Sequence, residues 1–156
     1  MKNLYSINVY RLFRSIMISA GCLSALSASA ALKITEIMPS NISTIISDKY
    51  DYNGYVEIYN DGEQVDLNGW TVTNEKEGKT DWTLRLSQSH VVKKGYNLLF
   101  FAKDDVAETQ GNSAANMNPL FIGTVSQKLT SDAGKLTLTN GSQTISIEYP
   151  KQYPHI

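Results

Sequence analysis

The side chains able to do chemistry are few and scattered. The chain has two histidines, His90 and His155, far apart, and one thiol, Cys22. No Gly-x-Ser-x-Gly and no His-Glu-x-x-His surrounds them. A nucleophile, a base and an orienting group therefore cannot be assembled, and the reading is no catalytic residue, no metal centre and no cofactor. Asp48, Asp51, Asp104 and Asp105 offer oxygen ligands in two polar stretches. Calcium takes about six to eight oxygens, and no EF-hand spacing is present, so solvated acidic loops are expected there. Tyr50, Asp51, Tyr52 and Tyr55 are the candidate binding residues. Their rings, with a carboxylate between them, suit a sugar or a partner protein. The competing reading is that the rings pin their own loop to a sheet. Asn41-Ile-Ser43 and Asn140-Gly-Ser142 fit the N-glycosylation pattern, but nothing marks a eukaryotic source, so both are read as chance.

The first 30 residues set themselves apart. Lys2, Arg11 and Arg14 are basic, no acid precedes Glu36, and Ser15 to Leu26 is a short apolar run followed by Ser27-Ala-Ser-Ala30. That is the layout of a cleavable secretory signal with its cut after Ala30. It implies a secreted, periplasmic or cell-surface protein with no transmembrane span after cleavage. Cys22 follows Ser19-Ala-Gly21, an imperfect lipoprotein box, so a lipid anchor there is the less favoured alternative. The precursor has 156 residues and a formal charge of −1. Removing 30 residues with three basic and no acidic groups leaves 126 residues, 11 basic against 15 acidic groups, and a charge of −4. Phosphate backbones call for clustered Lys and Arg, and only Lys93-Lys94 are adjacent, so no nucleic acid partner is expected. A chain without Cys after cleavage has no disulfide framework.

The elements that must position these residues read as strands. Leu32, Ile34 and Glu36 alternate up to Pro39, and residues 41–53 lack a period and read as a long loop. Tyr55-Val-Glu-Ile-Tyr59 is a strand whose inward face the sequence leaves open. Val65 to Leu67 and Trp70 to Thr73 follow, with a turn or bulge at Asn68-Gly69. Residues 74–80 read as a polar hairpin loop before the alternation of Trp82, Leu84 and Leu86. Tyr96 to Phe101 is apolar on both faces, as in a strand packed on two sides. Residues 104–119 read as a mobile loop with room for a short helix at Asp104–Glu108. Lys135 to Tyr149 reads as a hairpin about a two-residue turn at Asn140-Gly141. Nothing after the leader sustains helical periodicity, and about seven to nine short strands argue an all-β antiparallel sandwich. Its core is expected from Ile34, Val56, Ile58, Leu67, Trp70, Val72, Trp82, Leu84, Leu98, Phe100, Leu136, Leu138, Ile145 and Ile147. Two prolines in Tyr149-Pro-Lys-Gln-Tyr-Pro154 make residues 150–156 a linker-like end.

Leu32-Lys-Ile-Thr-Glu-Ile-Met-Pro-Ser40, Gly54-Tyr-Val-Glu-Ile-Tyr-Asn60 and Val65-Asp-Leu-Asn-Gly-Trp70, in this order, resemble the bacterial lamin tail domain family. Trp82-Thr-Leu, Gly95-Tyr-Asn-Leu-Leu-Phe and Lys128 to Leu138 continue the resemblance, which covers residues 31–149. It implies an immunoglobulin-like sandwich with no activity of its own. Glu36, Glu57, Asn60, Leu67, Gly69 and Trp70 match the family pattern and are expected to be structural. Glu57, if inward, needs buried partners near Asn60 and Trp70. The expected function is a non-enzymatic interaction module whose partner is a protein or a surface polysaccharide. Two alternatives stand beside it. One is the front of a longer or split secreted enzyme, such as a spore-coat-H-like kinase or a hydrolase. The other is a carbohydrate-binding module using the Tyr50–Tyr55 loop.

Overall fold

Alternating apolar residues between turn-forming clusters produce eleven strands and no helix among the described residues of the computed structural model, which are 31–47, 51–103, 107–111 and 118–153. Residues 1–30 with Cys22, and Asp48, Tyr50, Asp104, Asp105 and His155, lie outside them. The strands are β1 (Leu32–Met38), β2 (Gly54–Asn60), β3 (Val65–Asp66), β4 (Thr71–Lys76), β5 (Lys79–Arg85), β6 (Val91–Val92), β7 (Gly95–Phe101), β8 (Thr109–Gln110), β9 (Phe121–Val125), β10 (Gly134–Thr139) and β11 (Thr144–Tyr149). One sheet runs β1-β2-β7-β9-β8 and the facing sheet runs β11-β10-β4-β5, with β3 and β6 as a ribbon at the side. This is an immunoglobulin-like sandwich. Every pair is antiparallel except β7 with β9, which are parallel. The two strands beyond the expected seven to nine are β6 and β8, each of two residues. Two residues are too short to leave an alternation in sequence.

The two sheets close over Val56, Ile58, Leu67, Trp70, Val72, Leu99, Phe101, Leu136 and Leu138, with Trp82, Leu84, Ile34 and Ile147 half-buried at the margin. Burying each such large side chain contributes about 1.5–3 kcal/mol. Gly69, at a φ of 81°, lets the chain turn so that Trp70 enters this core while its N–H reaches the Leu67 carbonyl at 3.0 Å.

Leu98 and Phe100 are not part of it. Val56 on β2 opposes Leu99 on β7, so Leu99 and Phe101 take the inner face, and Tyr55 opposes Phe100 on the outer one. Leu98, Phe100, Tyr55 and Phe121 form a second apolar cluster outside the sheet. Glu57 shares that outer face. It stays half-buried and accepts a hydrogen bond from the Thr35 hydroxyl at 2.7 Å, not from the Asn60 and Trp70 region.

Two turns differ from the sequence reading. Residues 74–80 are not a loop: β4 and β5 continue to a two-residue turn at Glu77 and Gly78, both at positive φ. Polar residues line these strands because one face meets water, and that hides them from hydrophobic patterning. Conversely, Asn140-Gly141 opens a four-residue loop, since Thr139 pairs with Thr144. Asn140 Oδ1 accepts the N–H groups of Ser142 and Gln143, so the side chain itself shapes the turn. After β11, residues 150–153 stay against the body. The Gln152 N–H donates to the Ser131 carbonyl at 2.8 Å and its side-chain amide to that of Ile37 at 3.3 Å.

Tyr149 joins β11 to the buried Asn74 of β4, its hydroxyl donating to Asn74 Oδ1 at 2.9 Å. Burial pushes its phenol up from 10 to about 12. A raised pKa of this kind stabilises the fold fully below the unfolded value and ceases to do so as pH climbs through the folded one. Urea titrations of the wild type should therefore lose stability between about pH 10 and about pH 12 more steeply than those of Tyr149→Phe. Parallel curves would show that Tyr149 ionises as freely folded as unfolded.

Candidate binding groove and loop

The connection from β1 to β2 begins at one end of the sandwich with Pro39-Ser-Asn41, where Asn41 is buried. Asn41 Nδ2 donates to the carbonyls of Ile45 at 2.6 Å and Asn53 at 3.0 Å, and Oδ1 accepts the Thr44 N–H at 3.0 Å. One side chain thus ties both ends of the loop together. The Asn53 amide donates to the Ser47 hydroxyl at 2.9 Å, and the Ser47 N–H to the Asp51 carbonyl at 2.9 Å. Below the loop, Ile45 and Met38 pack on the outer cluster of Tyr55, Leu98, Phe100 and Phe121. Three large apolar side chains on this wired loop nevertheless face water: Ile42 is 45% exposed, Ile46 47% and Tyr52 44%.

Beside the loop lies an open groove of about 720 Å³. Asp51, Tyr52 and Asn53 of the loop line it, with Lys103 just after β7, Lys128, and Lys76 beside Asp132. Asp132 accepts from Lys76 at 2.6 Å and pairs with Lys151 at 3.6 Å, which holds its carboxyl below the usual range. The groove therefore mixes aromatic, cationic, anionic and amide groups.

The candidate residues separate. Asp51 and Tyr52 line the groove, while Tyr50 lies outside the described residues. Tyr55 does not join them. It is buried against Phe100 with ring centroids 5.7 Å apart, and its hydroxyl donates to Glu36 at 2.9 Å. Burial, with Glu36 and Glu57 nearby, raises that phenol far above the tyrosine range. The strand period puts Tyr55 on the outer face of β2, within the second cluster. Both glycosylation-like asparagines are occupied: Asn41 by its loop and Asn140 by its turn. Among the described residues no three His, Cys, Asp or Glu side chains converge as a metal site would require.

The other family-pattern residues hold the frame. Asn60 is fully buried, donating to the Glu63 carbonyl at 2.8 Å and accepting from the Gly62 N–H at 2.9 Å. Leu67 and Trp70 are in the core, and the Gly69 N–H donates to the Leu86 carbonyl at 2.9 Å.

At the flank away from the groove, His90 is fully buried against Glu108, with Nε2 2.8 Å from Oε1. Glu108 also accepts from the Ser87 hydroxyl at 2.6 Å and from the N–H groups of Ser87 and Gln88. Burial alone would raise the Glu108 carboxyl; donation from Ser87, His90 and Gln88 outweighs it and holds the group below the usual glutamate range. Ser87 donates to Glu108 and not to the ring, so these residues form no nucleophile–base pair. The sequence reading missed both hubs. Asn41 just after Pro39 at a strand end carries an Asx-turn signal. Glu108 carries none, because its partner belongs to a different segment.

The lamin tail domain profile matches residues 25–151. The chain belongs to the lamin tail domain family. Lamin tail domains are immunoglobulin-like and generally non-enzymatic interaction modules. No curated protein matches the chain.

Replacing Asn41 by Ala should cost about 1–3 kcal/mol in urea unfolding, since buried loop carbonyls and N–H groups lose their partner. Loss below about 0.5 kcal/mol would mean that water replaces Asn41 and that the loop is not wired through it.

Proposed function

We propose that this lamin tail domain is a non-catalytic binding module that works outside the cytoplasm and engages a protein through the β1–β2 loop and the groove beside it. The observation that carries this reading is the exposure of Ile42, Ile46 and Tyr52 on a loop ordered by a buried asparagine. Ordering backbone in order to hold apolar groups in water gains the fold nothing, whereas a partner covering them recovers their burial energy. Two aliphatic side chains favour a protein surface over a sugar, whose rings pack on aromatic faces. The leader-like first 30 residues supply the case for export. A surface polysaccharide held by Tyr52 and the polar walls of the groove is the second reading, favoured by Tyr52 alone.

A photo-crosslinking residue replacing Ile46, introduced in the cells that make the protein, should capture one protein partner. The same residue replacing Tyr96, which is 53% exposed on the outer face of β7, should capture none. An Ile42→Ser background should weaken the capture about tenfold or more. Capture from Tyr96 but not from Ile46 would move the interface to the sheet face and overturn the proposal. Retention on immobilised polysaccharide, lost in Tyr52→Ala, would favour the second reading.

A further inference from the structure

His90 is a fully buried titratable group that the binding reading does not use. Its ring is walled on every side. Nδ1 lies 3.1 Å from the Ile122 carbonyl of β9, and Nε2 lies 2.8 Å from Glu108 just before β8. Gly123 passes so close that a Cβ there would land on Nδ1. The titratable groups facing His90 among the described residues are Glu108 on the β8 side and Asp66 on β3, whose Oδ1 accepts the His90 N–H at 3.0 Å.

Both partners of the ring are acceptors. A carbonyl can only accept, and the Ile122 oxygen already takes the Gly111 N–H at 2.8 Å. Glu108, receiving three further donors, is held as a carboxylate. A neutral imidazole carries one N–H and one lone pair, so it would turn a lone pair on one of these oxygens. The doubly protonated ring satisfies both and pairs its charge with Glu108.

This pair decides what happens to one sheet edge. The two residues of β8 cover β9 through the pairs Thr109–Thr124 and Gln110–Gly123. So short a strand has little stability of its own. Its attachment is completed by Glu108 on one side and by the Gly111 N–H on the other, both converging on His90 or its carbonyl partner. We propose that the His90–Glu108 pair is a proton-dependent latch that holds β8 across the edge of β9. Protonation of Glu108 opens it at low pH, because a depressed carboxyl contributes its stabilisation above the unfolded value and loses it as pH falls through the folded one. Opening uncovers the backbone of β9, an edge able to pair with another strand.

Amide hydrogen exchange of the full chain, expressed as protection factors for Gln110 and Gly111, tests this. Protection should hold at neutral pH and fall about tenfold or more as pH drops below the ordinary glutamate value of about 4.3, while Leu136 and Leu138 of β10 stay flat. In Glu108→Gln the amide carries no titratable proton and can donate to or accept from the ring, so the fall should flatten. Flat protection in the wild type, a fall shared with β10, or an unchanged profile in Glu108→Gln would each overturn the latch. If Glu108→Gln does not fold, the wild-type profile read against β10 decides alone.

Discussion

Strand β7 is apolar on both faces, and most of the architecture answers that one constraint. Its inner residues, Leu99 and Phe101, complete the core between the sheets. Its outer residues, Leu98 and Phe100, would lie in water if nothing covered them, at about 1.5–3 kcal/mol each. Tyr55 from β2, Phe121 from β9, Met38 from β1 and Ile45 from the β1–β2 loop provide the cover. A loop recruited to bury a sheet's outer face is thereby fixed in space. The order of the β1–β2 loop is thus a by-product of core packing, with Asn41 supplying the hydrogen bonds that hydrophobic contact cannot.

Buried polar side chains do the rest of the shaping, in a fold with no helix among its described residues. Asn97 donates to the carbonyls of Lys93 and Gly95 and accepts the Lys93 N–H, which fixes the turn entering β7. Asn60 does the same for the turn after β2, and Asp66 gathers the N–H groups of Asn68 and His90 with the Ser89 hydroxyl. Burial raises the Asp66 carboxyl, but donation from Ser89, Asn68 and His90 more than compensates. Each of these groups replaces water at a place where the backbone leaves the ladder.

The sandwich was legible in the sequence because short alternating runs separated by Asn, Gly and Asp carry the period of a half-buried strand. The Glu-Ile-Tyr-Asn and Leu-Asn-Gly-Trp segments gave the family, which the profile match over residues 25–151 shows. The parity of β7 was not legible, because an unbroken apolar run fits either face and only the register with Val56 chooses. For the same reason Tyr55, one step from Val56 and a candidate binding ring in the sequence, could not be assigned to a face there, and it is buried. Asp51 and Tyr52 of the candidate set do line the groove. The isoleucines beside them went unnoticed, since an aliphatic residue in a loop carries no sign of its exposure. The His90–Glu108 contact depends on chain segments that only the fold brings together.

The two faces of the account meet in the β1–β2 loop, which must be rigid to present Ile42, Ile46 and Tyr52 as a preformed surface. Backbone nitrogen relaxation for residues 41–47 measures this directly. Order parameters of about 0.8 or above, matching the β2 and β7 amides, are the predicted result. Values below about 0.6 across these residues would show a loop that moves independently of the sheet beneath it, and would contradict the account.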